Sequence, residues 1–337
     1  MKSLRFLLFP FALVYLVVTR IRNLSYDKGW TPASQFPIRT IGVGNLSVGG
    51  TGKTPMVELL IELLGEQYQI GLLSRGYGRQ SKGFLLANDQ STAVDIGDEP
   101  LQIKQKFPDI SVAVDGNRCR GIGELLKLTK PPQLVVLDDV FQHRSISTDV
   151  IILLTTYSKP YFNDFILPVG NLRESKSGAR RADMIVVTKC PADLSQPAKD
   201  EYIARINPMT HQSVWFSSID YSEIVYSSSH FCSIQEFQKQ PFTLVTGIAN
   251  SAPLVEYLEK LGAKFKHLSY SDHHHFSEKE IERFGGLGKI LTTEKDFVRL
   301  QSLANLDDCY YIPIKTKLID SKDFKSSLEQ LLKQKVS

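Results

Sequence analysis

The residues with the most specific chemistry form a glycine-rich loop that ends in Lys53 and Thr54. Residues 38–44, Ile-Arg-Thr-Ile-Gly-Val-Gly, precede the loop and are interpreted as a short buried strand, and residues 56–64 follow it with helical periodicity. A strand, a glycine-rich loop, Gly-Lys-Thr and a helix in this order are typical of a phosphate-binding loop. The predicted nucleotide-contacting residues are Ser47, Val48, Gly49, Gly50, Thr51, Gly52, Lys53 and Thr54.

Each residue type in this loop has a physical role. Glycines let backbone N–H groups turn towards phosphate oxygens, and the N-terminus of the following helix adds a partial positive charge. We expect Lys53 to reach the β- and γ-phosphates of a nucleotide and the Thr54 hydroxyl to bind Mg²⁺. Ser47 stands where the general pattern has its first glycine. A coincidental glycine-rich turn is the alternative, but it does not account for the strand and helix on either side.

Two adjacent acids, Asp138 and Asp139, follow the apolar run at residues 134–137. Such a run is typical of a fully buried parallel strand, and its carboxyl end is where open α/β sheets bind ligands. We expect Asp138 to hold Mg²⁺, directly or through water, and Asp139 to assist it or to bind substrate. By itself the pair fits a strand cap equally well. Downstream of a phosphate-binding loop it predicts the second half of one site.

Three further polar groups have more than one interpretation. Arg75 and Arg79 lie in a basic glycine loop, which suits phosphate or lipid-phosphate contact but also a solvated turn. Asp98 begins a helical stretch, where N-capping is the simplest explanation. Residues 273–275 are three consecutive histidines. A metal cluster, a solvated loop and a histidine that assists proton transfer are all open interpretations.

The excess positive charge of the chain lies at its N-terminus. The sequence has 40 basic and 36 acidic residues, a net charge of +4. Residues 1–22 contain Lys2, Arg5, Arg20 and Arg22 and no acid, so the remainder is neutral overall. Nucleic-acid binding needs basic side chains spread over a face. No nucleic acid is therefore expected as a partner.

Between these arginines lies an uninterrupted apolar run, residues 6–18. Its thirteen residues are fewer than the about 20 that a transmembrane helix needs. A secretory signal peptide and a buried core helix are alternatives, although the signal peptide lacks a small-x-small cleavage site. We favour a monotopic helix at the cytoplasmic face of a membrane, with its arginines at anionic headgroups.

Apolar runs alternate with helical stretches along most of the chain, which predicts an α/β fold. We expect a P-loop NTPase-type, mostly parallel sheet flanked by helices, a smaller second α/β domain and the N-terminal membrane-associated helix. The four cysteines are scattered, which indicates neither a zinc site nor a redox motif and suits a reducing cytosol. The predicted boundaries are 1–22 for the helix, 23–214 for the P-loop domain, 215–230 for a linker and 231–337 for the C-terminal domain.

In these motifs the chain resembles the tetraacyldisaccharide 4'-kinase family, the lipid A kinases of bacteria with an outer membrane. The similar segments run through nearly the whole sequence. They are residues 22–29, 44–55, 73–78, Gly-Asp-Glu-Pro at 97–100, 137–143, 172–174, Asp-His-His at 272–274 and Thr-Glu-Lys-Asp at 293–296.

The resemblance implies transfer of the γ-phosphate of ATP, with Mg²⁺, to the 4'-hydroxyl of a tetraacyldisaccharide 1-phosphate. The product would be lipid IVA in lipid A biosynthesis. The enzyme would be peripheral or monotopic at the cytoplasmic face of the inner membrane, without an obligate protein partner. The family's base would fall on Asp98 and the assisting histidine on His273, with His274 as the alternative. Arg75, Asp139, Arg173 and Glu174 are expected to hold substrate phosphate or to support the metal shell.

Two other functions share some of these features. A GTPase or ATPase switch would use the same loop and acidic strand, but it needs neither an anchor nor the acid at Asp98. Pro191, two residues after Lys189, argues against guanine selection. A membrane-attached scaffold that only binds nucleotide is the non-enzyme alternative.

Overall fold

A computed structural model describes residues 5–272, 274, 276–301, 308–319 and 321–334. The strands are β1 (Arg39–Asn45), β2 (Ile70–Ser74), β3 (Leu85–Leu86), β4 (Ser111–Val114), β5 (Leu134–Asp138), β6 (Val150–Thr156), β7 (Met184–Thr188), β8 (Ser213–Tyr221), β9 (Ile224–Tyr226), β10 (Phe231–Ser233), β11 (Phe242–Thr246), β12 (Phe265–Ser269), β13 (Ile290–Thr293), β14 (Cys309–Ile312) and β15 (Ile314–Ile319).

The α-helices are α1 (Phe9–Asp27), α2 (Lys53–Leu64), α3 (Ala93–Ile96), α4 (Asp98–Lys106), α5 (Arg118–Leu125), α6 (Gln196–Ile206), α7 (Ile234–Phe237), α8 (Ala252–Lys260), α9 (Glu278–Gly285), α10 (Glu294–Gln301) and α11 (Phe324–Gln334). Short 3-10 turns lie at Phe6–Leu8, Tyr161–Asn163, Lys176–Arg181 and Ser321–Asp323.

The chain divides into two compact units. Unit 1 comprises residues 1–75, 109–219 and 316–337, and unit 2 comprises residues 76–108 and 220–315. The units differ from the predicted domain boundaries, which placed residues 76–108 with the phosphate-binding loop and the C-terminus with the second domain. The predicted boundaries stay a prediction.

Side-chain contacts explain why these two segments belong to other units than the predicted ones. Asp98 and Glu99 form ion pairs with Arg299 and Lys295, which holds residues 76–108 in unit 2. The C-terminal helix α11 belongs to unit 1, because its buried Phe324 packs edge-on against Trp215 at 5.2 Å.

The sheet of unit 1 is parallel at its centre. Its strands lie in the order β15–β8–β7–β6–β1–β5–β2–β4, and β1 pairs in parallel with both β5 and β6. The strands β1, β2, β5 and β7 are almost continuously buried, as is typical of parallel strands in a sheet covered on both faces. Adjacent β1 and β5 therefore bring the glycine-rich loop and Asp138 to one edge of the sheet.

The sheet of unit 2 is smaller and has the order β10–β9–β14–β13–β11–β12. Its central strand β11 is parallel to β12 on one side and to β13 on the other. The chain thus places β12 on one side of β11 and β13 on the other. This arrangement creates a topological switch point at the carboxyl ends of β11 and β13.

The N-terminal helix is longer than the apolar run in its sequence, and nearly all of its side chains are at least partly exposed. The helical stretch Phe6–Asp27 has 22 residues, which is sufficient by length and composition to cross a membrane. The thirteen-residue run therefore underestimated its length. A buried core helix is not observed, since Ala12 alone of its described residues is buried. Tyr15 Oη donates to Arg173 O at 2.9 Å and Arg22 to Gln142 O at 2.6 Å, so α1 is attached to unit 1 along one side.

Candidate active site

The glycine-rich loop connects β1 to α2 in the predicted way. β1 ends at Asn45, whose side-chain amide donates to Ser47 O at 2.7 Å, and α2 begins at Lys53. Gly49 and Gly52 have φ values of +110° and +87°, a backbone region that L side chains rarely adopt. These two glycines allow the chain to turn sharply before the helix, which leaves the helix N-terminus open to an anion.

Two side chains at the carboxyl end of β7, Thr188 and Lys189, bond to the backbone of the loop. Thr188 Oγ1 donates to Thr51 O at 2.8 Å, and Lys189 Nζ donates to Gly50 O at 2.7 Å. These hydrogen bonds occupy the carbonyl oxygens of Thr51 and Gly50 and hold the backbone of the loop in place. Within the described residues, the buried Thr51 Oγ1 has no hydrogen-bond partner. A phosphate oxygen is an acceptor that would satisfy it.

A second segment pairs with the loop from the side. Val48 N donates to Asn171 O at 2.8 Å, and Arg173 N donates to Leu46 O at 2.7 Å. This short antiparallel pairing carries Arg173 to the loop's flank. The Thr188, Lys189 and Asn171 contacts were not predicted from the sequence, because backbone pairing between distant segments leaves no local pattern.

Asp139 connects the acidic strand end with two cations. Its Oδ1 lies 3.4 Å from Lys53 Nζ, and its carboxylate accepts from Arg173 Nη1 at 3.0 and 3.1 Å. Burial raises the pKa of Asp139, but Lys53 and Arg173 lower that pKa by more, so it lies below its usual value. The residue has φ +49°, an unusual conformation for a side chain other than glycine. The surrounding ion pairs thus hold a strained residue between Lys53 and Arg173.

Asp138 is held at the end of β5 by buried groups. The Ser74 hydroxyl donates to its Oδ2 at 3.1 Å, and the backbone carbonyl of Asp138 accepts from Arg118 Nη2 at 3.0 Å. Arg118 is 1% exposed and also donates to Asp115 O at 2.5 Å. The buried Arg118 guanidinium therefore fixes the peptide group that joins Asp138 to Asp139. The sequence did not single out Arg118.

Glu174 accepts hydrogen bonds from the side chains of three other residues. Arg181 contacts both of its carboxylate oxygens at 2.9 Å, while Asn23 and Gln142 donate to it at 2.7 and 3.1 Å. The residue is 3% exposed. Glu174 thus joins α1 to the loop after β6, a structural role that the sequence did not predict. The prediction that it supports a metal shell or a substrate phosphate stays a prediction.

His143 is a neutral neighbour of these charges at pH 7. Burial and the nearby Arg118 lower its pKa to about 4, with smaller lowering effects from Arg75 and Arg22, while Asp139 acts in the opposite direction. Arg75 itself is exposed at the end of β2. The predicted site residues of unit 1 therefore lie at the neighbouring carboxyl ends of β1, β5 and β2 and on the segment that pairs with the phosphate-binding loop.

In unit 2, Asp98 is the first residue of α4 and forms an ion pair. Arg299 Nε lies 2.5 Å from Asp98 Oδ2, and Arg299 Nη1 lies 3.1 Å from Asp296 Oδ1. Gly97 is the N-cap residue and makes no side-chain cap, so capping by Asp98 does not explain this acid. The Asp98 carboxylate is instead held by its ion pair with Arg299 on α10.

Asp296 anchors this arrangement at the topological switch point. It is fully buried, and its Oδ2 accepts from Gly247 N at 2.8 Å and from Thr293 Oγ1 at 2.7 Å. Burial raises the pKa of Asp296, although these hydrogen bonds and Arg299 oppose it. Arg299 follows Asp296 by three residues, which places both on one face of α10. This spacing in the sequence was the available indication of the pair.

The histidine prediction is only partly covered by the structure. His273, the predicted assistant of Asp98, lies outside the described residues. His274 Nε2 lies 3.2 Å from both carboxylate oxygens of Glu280, and its ring stacks on Tyr270 at 4.7 Å. Across the residues that the structure describes, no group of three or more His, Cys, Asp or Glu side chains is arranged for a metal ion. This is compatible with Mg²⁺, which is commonly held by one or two protein oxygens and substrate phosphates.

Comparison with known proteins identifies the family. The profile of tetraacyldisaccharide-1-P 4'-kinase matches residues 4–333. The tetraacyldisaccharide 4'-kinase of Flavobacterium johnsoniae is 45% identical over 338 residues, 99% of each chain. That of Flavobacterium psychrophilum is 47% identical over 327 residues, 96% of this chain and 95% of the relative. The crystal structure of LpxK from Aquifex aeolicus in complex with ATP has a TM-score of 0.79 at 29% identity, covering 98% of this chain and 99% of that one.

The parallel sheet, the phosphate-binding loop and the acidic strand end are features of the P-loop NTPase class, and the matched family makes the chain an ATP-dependent kinase of that class. The predicted α/β fold class and the predicted enzyme class are confirmed. The chain belongs to the tetraacyldisaccharide 4'-kinase family, so the predicted family and its function, ATP-dependent 4'-phosphorylation in lipid A biosynthesis, are also confirmed.

Proposed function

We propose that the chain transfers the γ-phosphate of ATP to the 4'-hydroxyl of a tetraacyldisaccharide 1-phosphate, giving lipid IVA. The observation that carries this proposal is the loop from Ser47 to Thr54, which follows β1 and whose Lys53 lies beside the Asp139–Arg173 ion pair. Phosphoryl transfer depends mainly on positioning and on charge stabilisation. A loop with inward N–H groups and two adjacent cations supplies both.

Lys53 and Arg173 are the residues that we assign to the transferred phosphate. Both contact Asp139, which keeps their charges together beside the loop. A phosphate carries more negative charge than one carboxylate, so it can compete with Asp139 for Lys53. Asp139 then acts as a holder for the cations, and its low pKa keeps it ionised.

The residues fit a magnesium ion of the type that P-loop kinases use. Thr54 follows Lys53 at the start of α2, and the residue Asp138 is 7% exposed at the neighbouring strand end. Hydroxyl and carboxylate oxygens are the ligands that Mg²⁺ prefers. When bound, Mg²⁺ supplies neutralisation of phosphate charge. We assign Thr54 and Asp138 to hold it.

We assign Asp98 the role of the base that accepts the proton of the acceptor hydroxyl. A sugar hydroxyl is a weak acid, so a carboxylate that takes its proton as the new bond forms assists the reaction. Two observations support this assignment. The Asp98 side chain is 19% exposed, so a substrate can reach it, and it pairs with Arg299 instead of capping a helix. His273 keeps its predicted role as the assistant of Asp98.

We also propose that the enzyme is peripheral at the cytoplasmic face of the inner membrane, through α1. The hydrogen bonds of Tyr15, Arg22 and Asn23 tie one side of the helix to unit 1. A helix fixed sideways to a globular unit suits an interfacial position, since a membrane-crossing helix would have to leave these contacts. An enzyme at the interface meets an acylated substrate without extracting it from the bilayer.

The test is incubation of the purified protein with ATP, Mg²⁺ and tetraacyldisaccharide 1-phosphate in detergent micelles. We expect one phosphate per disaccharide, located by phosphorus NMR at the 4' position. ATP hydrolysis without a phosphorylated lipid would contradict the kinase assignment and favour an ATPase. Phosphorylation of another hydroxyl would contradict the proposed acceptor.

A further inference from the structure

A loop in unit 1 holds an aromatic ring in solvent. Phe165 is 54% exposed, yet its backbone is fixed on both sides. Its N–H donates to Asp164 Oδ1 at 2.8 Å, and its carbonyl accepts from Leu172 N at 2.9 Å. Single exposed apolar side chains are common and need no explanation. The surroundings of Phe165 make it part of a larger surface.

The loop is built to hold this conformation. A Cβ atom at Gly170 would lie 2.1 Å from Phe165 O, so the close approach requires glycine. Asn171 closes the loop by donating from Nδ2 to Asp164 Oδ2 at 3.0 Å. Because these contacts engage the acid Asp164, its charge is turned into the loop. The ring of Phe165 is thus presented by an ordered scaffold.

The ring is continuous with the exposed start of the N-terminal helical stretch. The Phe6 and Phe165 rings meet edge-on, with centroids 5.9 Å apart, and Arg5 Nη1 donates to Asn171 Oδ1 at 3.4 Å. Phe6 and Leu7 are 54% and 74% exposed. Phe165 therefore extends the apolar surface of the helical stretch onto the globular unit.

Cations surround this extension. Lys176 Nζ lies 5.9 Å from the centroid of the Phe165 ring, and its position is set by a 2.6 Å hydrogen bond to Phe162 O. Arg5, Lys176 and Arg180 are all exposed. An apolar ring between exposed cations is suited to the boundary between acyl chains and anionic headgroups.

We propose that Phe165 and Lys176 form a second lipid-contacting site beside α1, occupied by an anionic bilayer surface. This inference rests on the proposed membrane association of the chain. The segment that carries Phe165 also carries Asn171 and Arg173, which bond to the phosphate-binding loop. A lipid contact at Phe165 therefore adds a second point, besides α1, that sets the position of that loop relative to the membrane surface.

The test measures vesicle binding by the full-length chain, using sucrose-loaded vesicles of phosphatidylglycerol and phosphatidylethanolamine. Phe165→Ala should lower the partition coefficient by about tenfold, the effect of removing one buried aromatic ring. Phe231→Ala is the matched control, because Phe231 is 71% exposed in unit 2, and it should leave partitioning unchanged. Lys176→Glu should weaken binding by about fivefold per unit of charge, while Lys239→Glu should have a smaller effect.

A second variant reports insertion directly. Tryptophan fluorescence of Phe165→Trp should shift to the blue on addition of these vesicles, beyond the change seen in wild type, whereas Phe231→Trp should not shift. Unchanged partitioning of Phe165→Ala, or no shift in Phe165→Trp, overturns the proposal while membrane association stands. A Phe165→Ala variant that changes the oligomeric mass without vesicles would assign the surface to a second copy and also overturn it. If wild type does not bind the vesicles, both this inference and the proposed membrane association fail.

Discussion

Arg299 Nε lies 2.5 Å from Asp98 Oδ2, and the same guanidinium contacts the fully buried Asp296. The fork of an arginine can contact two carboxylates in fixed directions, which a lysine ammonium cannot reproduce. The backbone N–H of Gly247 fixes Asp296 in turn. The orientation of the proposed base is therefore determined by the carboxyl ends of β11 and β13.

The first prediction concerns Arg299. Arg299→Lys keeps the charge but cannot contact both acids in the same geometry, so we expect kcat to fall by about 10- to 100-fold because the base is misplaced. The KM for ATP should stay within about twofold, since the change affects a step after ATP binding. Steady-state kinetics at varied ATP give both values. Arg205→Lys, in the surface pair with Glu201, is the control, and a wild-type kcat for Arg299→Lys would remove the positioning role.

The second prediction separates two lysines at the phosphate-binding loop. Lys53→Met should lower kcat by about 100-fold or more, because it removes a cation from the transferred phosphate. Lys189→Met removes the support of Gly50 O at 2.7 Å and should mainly raise the KM for ATP. Initial-rate measurements on the two variants distinguish these effects. Equal losses of kcat in both variants would contradict the different roles.

The third prediction concerns the stability supplied by Glu174. Glu174→Ala removes the buried, bidentate partner of Arg181, which should cost about 3–5 kcal/mol of unfolding free energy. Urea denaturation measures this loss. Glu66→Ala, at an exposed position, should change stability by less than about 0.5 kcal/mol. A Glu174→Ala protein as stable as wild type would show that the network contributes little.

The fourth prediction is the protonation state of His143. Its imidazole signals should titrate by NMR with a pKa of about 4 instead of the usual 6.5. Since the folded pKa is depressed, the neutral imidazole contributes stability that is fully present above pH 6.5 and is lost as the pH falls through 4. His143→Gln should therefore lose less stability than wild type between pH 7 and pH 4. A midpoint near 6.5 would contradict the effect of burial and of Arg118 on this pKa.

Local patterns in the sequence were sufficient to predict half of the candidate site. The phosphate-binding loop follows a short buried strand and Asp138 follows a continuous apolar run, so strand type and residue position are encoded within a few residues. The pairing of Asn171 with Val48 was not predictable in this way, because a backbone contact between distant segments imposes no side-chain pattern. The same holds for Arg118, a buried cation whose partners are mostly backbone carbonyls.

The N-terminal helix illustrates a different limit. Apolar residues indicate where a helix contacts lipid or core, but backbone hydrogen bonding determines where it ends. The helix continues through Thr19, Arg20, Arg22 and Asn23 to Asp27. Arg22 and Asn23 bond to unit 1, and this tertiary contact stabilises a polar turn that the hydropathy of the sequence did not include.

The most direct measurement is the single-turnover rate of phosphate transfer from ATP to tetraacyldisaccharide 1-phosphate by wild type and Asp98→Asn. Wild type should produce the 4'-phosphorylated lipid, and Asp98→Asn should do so about 10²- to 10⁴-fold more slowly, the usual contribution of a positioned base. Asp95→Asn, a change in a nearby helix-capping acid, should retain most of the rate. Transfer by Asp98→Asn at the wild-type rate would contradict the account.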